Sequence, residues 1–161
     1  PDLIFSNAAL HWLGDHRSLL PGLIGQLTDG GVLALQMPSN FMSPSHQILR
    51  KLAGDYRWQQ ALGHVEMGSV LSAAEYHRLL MPLCRYLDVW ETTYWQALSG
   101  DDAIIEWMKG TTLVPYLARL EGAATEKFLA AYRARLALAY PRGADGHTVF
   151  PFKRVFLVAQ R

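Results

Sequence analysis

Asp2-Leu3-Ile4-Phe5-Ser6-Asn7-Ala8-Ala9-Leu10-His11-Trp12-Leu13 is the stretch on which the fold of this chain turns. An apolar run from Leu3 to Phe5 breaks into small polar residues at Ser6 and Asn7, the pattern of a buried parallel strand that ends at a site. In open α/β sheets ligands sit beyond the carboxyl ends of strands, where strand order reverses, so small polar side chains at a strand end read as a binding edge. An ordinary exit from strand to loop would leave the same letters, and spacing alone does not separate the two.

Past this stretch, Asp15 or Ser18 can cap a helix whose apolar residues Leu19, Leu20, Leu23, Ile24 and Leu27 recur at helical spacing. Pro21 fits only if that helix starts near Ser18, which puts it in the first turn. Asp29-Gly30-Gly31 ends the helix, and Val32 to Met37 reads as a second buried strand closing at Pro38. Strand, helix, strand in this order is a parallel crossover unit. If its strands are neighbours, Asn7 and Gln36 lie on one rim of the sheet, with Ser39 and Asn40 following.

A helix is expected from Ser45 to Ala53, and residues 54–70 lack a clear period. Ser72-Ala73-Ala74-Glu75 is a capping box, in which a serine hydroxyl and a glutamate three residues on satisfy free amides at a helix start. Tyr76, Leu79, Leu80 and Leu83 form the buried stripe of that helix. Alternation and aromatic content make Tyr86 to Leu98 a third strand. Helical spacing then takes over through Ile104, Ile105, Trp107 and Met108, through Leu113 to Leu120 across Pro115, and through Phe128, Leu129, Tyr132, Leu136 and Tyr140. Val149 to Ala159 closes the chain as a last strand with Pro151 at its beginning. The expected organisation is a sheet half over residues 1–98, a helical insertion over 99–146 and a returning strand over 147–161. A lid over the ligand rim is one natural place for such an insertion.

The chain has 161 residues, half of them hydrophobic and 18% charged, with a formal net charge of +1. That is enough for a sizeable core, and interspersed charges offer no electrostatic track for nucleic acid. The single cysteine, Cys84, rules out an internal disulfide framework. No apolar run is as long as a membrane span and no signal peptide is seen, so the reading is cytoplasmic. Pro1 stands one residue ahead of a strand, which reads as a truncated start. The six histidines show no metal-ligand spacing, no Gly-x-Ser-x-Gly elbow follows either early strand, and Gly30-Gly31 lies at the wrong end of the sheet for a phosphate loop. No metal is expected.

Several blocks together resemble a known family. They are Asn7 to Leu13 with Asp15-His16, Gly30 to Pro38, Trp90 to Tyr94, Glu106 to Thr111, Pro115 to Leu117, and Phe150 to Ala159. In this order they are similar to the trans-aconitate 2-methyltransferases, a family of class I S-adenosylmethionine-dependent methyltransferases. The resemblance implies a partial Rossmann-like α/β sheet holding the fourth to seventh strands of the parent fold, with a helical lid inserted before an antiparallel last strand. The glycine-rich cofactor turn and the acidic ribose-binding residue of the family are not in this sequence.

By the same resemblance the reaction is methyl transfer from S-adenosylmethionine to a carboxylate of trans-aconitate or a related small polycarboxylic acid, giving a monomethyl ester. Asn7, Ala8, Leu10, His11 and Trp12 would meet the cofactor. Gln36, Met37, Asn40, Tyr94, Trp107, Tyr116 and Arg154 would contact the substrate. Core packing is the alternative for Trp12 and the favoured reading for each lid aromatic, whereas a guanidinium beside a buried strand needs an anionic partner, a place that a structural carboxylate would also fill. Family members often carry an arginine where this chain has Val114, which points to a different or smaller acid. An inactive fragment, or a module that self-associates through an exposed sheet edge, stays open as an alternative.

Overall fold

Strand, helix and strand form at the start of the chain as the spacing predicts. In the computed structural model, which describes residues 1–161, β1 (Leu3–Asn7) and β2 (Val32–Pro38) run parallel, with Leu3 opposite Val32 and Asn7 opposite Gln36. The crossover helix α1 covers His16–Gln26. Of the two expected caps Asp15 is the one used, accepting from the Ser18 N–H, so Pro21 falls inside the helix and not in its first turn. Further helices are α2 (Pro44–Ala53), α3 (Gln59–Leu62) and α4 (Ala73–Leu80), the last opened by the full Ser72–Glu75 capping box. A long strand β3 (Tyr86–Ser99) precedes α5 (Ala103–Lys109), α6 (Val114–Leu117) and α7 (Gly122–Ala139), and β4 (His147–Gln160) ends the chain. Helix α6 is a single turn with Pro115 near its start, shorter than the Leu113–Leu120 expectation.

The sheet order is β1-β2-β4-β3. Strand β4 pairs with β2 antiparallel from Arg154 to Gln160, and Pro151 lies ahead of the stretch paired with β2. The chain divides into two compact units.

The first unit holds residues 1–41, 68–94 and 152–161. Its core lies on one face of the sheet. Leu33, Leu35, Met37, Val155, Leu157 and Ala159 point to that face and meet Leu20, Ile24 and Leu27 from α1 and its end, and Tyr76 and Leu80 from α4. The opposite face carries Leu3 and Phe5, 59% and 70% exposed. Within this chain β1 has β2 as its one neighbour, and the helices of this unit cover the side of Ile4 and Ser6.

The second unit holds residues 42–67 and 95–151, so α2 and α3 join α5 to α7. Two tyrosines of the α7 segment explain why. The Tyr132 hydroxyl donates to the Ser45 carbonyl at 3.1 Å, and the Ser45 N–H donates to the Tyr140 hydroxyl at 3.1 Å, which fixes the first turn of α2. Phe128 meets Trp58 edge-on at 5.4 Å and stacks on Tyr116 at 6.4 Å. Next to Ser45, His46 is buried between Ser43 and Thr112, and burial, with a smaller effect of Arg50, holds its imidazole down at about 4.

That burial fixes the sign of a pH effect. The unfolded chain takes up the His46 proton near pH 6.5 and the folded chain only near 4, so the stability is fully present above the first value and is lost as the pH falls between them. Urea denaturation is expected to show a loss of up to about 3 kcal/mol from pH 7 to pH 4 attributable to this group. The part of the slope that His46 causes should disappear in His46→Gln, and an unchanged slope would refute the assignment.

Candidate functional site at the strand ends

The carboxyl ends of β1 and β2 form the rim that the sequence points to. Asn7, the last residue of β1, stands opposite Gln36, and the Ala8 N–H donates to the Gln36 carbonyl at 2.9 Å. Ala8 adopts φ +50°, a left-handed conformation that costs an alanine about 1–2 kcal/mol. It turns the chain sharply across the strand end into a short 3-10 turn, Leu10–Trp12. There the two aromatic rings part ways. His11 is buried, while Trp12 is 54% exposed, their centroids 4.7 Å apart.

The turn is clamped from behind. His16 Nε2 lies 2.9 Å from the Leu10 carbonyl oxygen, which can only accept, so this nitrogen carries a proton. In the neutral ring Nδ1 is then left to accept from the Tyr76 hydroxyl, 2.6 Å away. The Leu71 N–H in turn donates to Tyr76 Oη at 3.1 Å. Burial pushes the Tyr76 phenol up to about 12, which keeps the donor proton in place. From the other side the Ser69 N–H donates to the His11 carbonyl at 3.1 Å. Gly68 makes this approach possible, because a Cβ there would lie 2.4 Å from that same oxygen.

The polar side of the rim is built on β2 and β4. Arg154 donates to Gln36 Oε1, and its guanidinium rests over the Phe152 ring at 4.8 Å. These are its contacts; no carboxylate lies within 4.0 Å of this half-buried cation, whereas the adjacent Lys153 is paired with Glu91 at 3.0 Å. Two buried polar atoms here have no partner, His11 Nδ1 and Gln36 Nε2. The His11 imidazole is lowered from its ordinary value by burial first, then by the charges of His16 and Arg154, so Arg154 makes its field felt at the turn. Asn40 is buried just beyond the end of β2.

Two of the expected substrate contacts are packing residues. Met37 is fully buried in the core, because strand alternation puts it on the face opposite Gln36. Tyr116 is buried in the second unit with its ring on Phe128. Tyr94 is 42% exposed on β3. Trp107, equally exposed on α5, belongs to the second unit and meets Phe150 edge-on at 6.4 Å. The rim of the first unit therefore brings together Asn7, Ala8, Leu10, His11, Trp12, Gln36, Asn40 and Arg154.

No protein-family model matches the chain. Among curated proteins, the trans-aconitate 2-methyltransferase of Paracidovorax citrulli is 43% identical over 163 residues, a match that takes in 100% of this chain and 63% of that protein. The trans-aconitate 2-methyltransferase of Streptomyces coelicolor is 47% identical over 164 residues, with 99% of this chain and 54% of its own length covered. The chain is a relative of the trans-aconitate 2-methyltransferases. It spans somewhat more than half the length of these relatives. Among solved structures, a Bacillus halodurans protein provisionally named a methyltransferase superposes with a TM-score of 0.50 at 10% identity, over 99% of this chain and 68% of that one, which is a likeness of fold. The observed strand order, with β4 antiparallel beside β2, agrees with the four strands that the resemblance implies.

In this methyltransferase relative the clamp behind the turn was outside the reach of the letters. His16 stands in the quoted Asp15-His16 block, but nothing in the sequence links it to Tyr76, sixty residues on, which reads only as one member of a helical stripe. Gly68 lies in the unpatterned stretch, and its meaning appears only when the His11 carbonyl is seen against it. Tyr76→Phe removes the acceptor of the Leu71 N–H and the donor to His16 together. It should destabilise the chain by about 1–3 kcal/mol in urea denaturation, with the near-ultraviolet signal of Trp12 changed; a neutral substitution would show that the clamp carries no strain-bearing role.

Proposed function

We propose that this chain serves S-adenosylmethionine-dependent methyl transfer to a carboxylate of trans-aconitate or a related small polycarboxylic acid, giving a monomethyl ester. The observation that carries the reading is the join of two features at one strand end: the clamped turn from Asn7 to Trp12, and a half-buried guanidinium, Arg154, with no carboxylate to neutralise it. The relatives' names point the same way.

The residues present fit one wall of a cofactor site. A small Ala8 at the sharp turn leaves room beside the strand end, and the exposed Trp12 ring offers a flat apolar surface. Asn7, Ala8, Leu10, His11 and Trp12 would hold the cofactor there. S-adenosylmethionine, when bound, supplies an electrophilic methyl group on a sulfonium sulfur. The acceptor carboxylate is ionised at neutral pH, so the chain has no proton to remove and no general base to provide. Its work is to hold the acid in line and exclude water. Arg154 does the holding through charge-assisted hydrogen bonds to a carboxylate, and Gln36 keeps the guanidinium aimed. Asn40 and Tyr94 remain candidate contacts on the same unit.

Incubation of the full-length protein that contains this chain with S-adenosylmethionine and trans-aconitate, read by mass spectrometry of the acid, is expected to yield a singly methylated ester. Arg154→Gln should weaken acid binding roughly tenfold to a hundredfold while leaving S-adenosylhomocysteine binding, followed by tryptophan fluorescence, within about twofold. Absence of any esterified polycarboxylate would refute the reading.

One observation favours a second reading, self-association. β1 is an edge strand, and Leu3 and Phe5 are exposed on its uncovered face. An unprotected apolar edge of this kind tends to pair with another chain. Sedimentation should then report a dimer that Phe5→Lys dissolves; a monomer at all concentrations would eliminate it.

A further inference from the structure

On stability grounds alone Gln36 is a poor neighbour for Arg154. Its side chain is nine-tenths buried, its oxygen accepts from the guanidinium, and its Nε2 has no acceptor. An amide donor buried in this way costs about 1–3 kcal/mol. A glutamate of the same shape would accept the same N–H groups more strongly, would carry no orphaned donor and would neutralise the cation. Three other cations of this unit are met in that manner, Arg17 by Glu75 at 2.7 Å, Arg85 by Asp29 at 2.9 Å, and Lys153, next in sequence to Arg154, by Glu91 at 3.0 Å, while Arg161 donates to the backbone carbonyls of Gly25 and Leu27. Residues that break a local rule of this sort are expected where a site needs them.

We infer that Gln36 is the specificity-determining residue of the rim: it fixes the direction of the Arg154 guanidinium through a neutral oxygen and so leaves its charge free for a carboxylate of the acid. The inference rests on the polycarboxylate reading above. It accounts for three observations at once. The guanidinium is held in one orientation by the amide oxygen and the Phe152 ring. No side-chain carboxylate competes for it within 4.0 Å. Its field still reaches His11. A neutral ester or amide would gain little from such a group, so the class selected is an acid bearing a carboxylate beyond the one that reacts.

The test is a calorimetric titration of the chain with trans-aconitate, in the presence of S-adenosylhomocysteine, for wild type, Gln36→Glu and Gln36→Met. Gln36→Glu supplies the missing carboxylate within the protein; it should weaken trans-aconitate binding at least about tenfold, with a urea midpoint equal to or above that of wild type. Gln36→Met loses the anchor without adding charge and should fall between the two. Wild-type affinity retained in Gln36→Glu would overturn the inference and leave the polycarboxylate reading standing, and so would a Gln36→Met variant as weak as Gln36→Glu. No binding of trans-aconitate by wild type would overturn the reading and the inference together.

Discussion

The parallel pairing of β1 with β2 is the constraint from which the rim follows. It sets Asn7 opposite Gln36, and the antiparallel pairing of β4 on the other side of β2 brings Arg154 up beside the same glutamine. Three strands thus deliver one amide, one guanidinium and one sharp turn to a single edge of the sheet. None of these groups is held by a long loop. Asn7 ends β1, Gln36 lies near the end of β2, and Arg154 lies within β4 at the limit of its pairing with β2, so each is carried by a hydrogen-bonded strand, the placement that gives a small polar site its precision.

Apolar burial does the complementary work on the far side of the sheet. The alternation of β2 sends Leu33, Leu35 and Met37 into the core beneath α1 and α4, and sends Ala34 and Gln36 to the other face. Helix α4 has a double role, since Tyr76 fills the core and also ties its hydroxyl to His16 and Leu71, so that packing and the position of the Leu10–Trp12 turn depend on one side chain. The left-handed Ala8 is tolerable because its neighbours are fixed in this way, by the ladder bond to Gln36 ahead of it and by the clamp behind.

Much of this was legible in the letters where the physics is local. The capping box at Ser72–Glu75, the crossover from β1 to β2 and the shared rim of Asn7 and Gln36 all appear as expected, and the last strand runs antiparallel as the family resemblance implies. The misreadings have particular causes. Val32 to Met37 is nearly continuous in apolar residues, so the face of each was hidden, and Met37 was placed on the rim when alternation buries it. Of the two candidate caps Asp15 starts the helix through one side-chain bond, which puts Pro21 inside it and not in its first turn. Grouping α2 with the second unit depends on Tyr132 and Tyr140, some ninety residues away from Ser45, and no periodicity encodes such a bond. Arg154 was singled out from its strand context, but its lack of a carboxylate partner could be seen only in three dimensions.

A crystal structure of the chain with S-adenosylhomocysteine and trans-aconitate tests the central claim most directly, because the claim concerns where one carboxylate sits. The account predicts an acid carboxylate within hydrogen-bond distance of the Arg154 guanidinium, with Gln36 Oε1 still accepting from that same group and the Asn7–Trp12 turn lining the cofactor. An acid bound elsewhere, with Arg154 turned to a carboxylate of the protein itself, would contradict it.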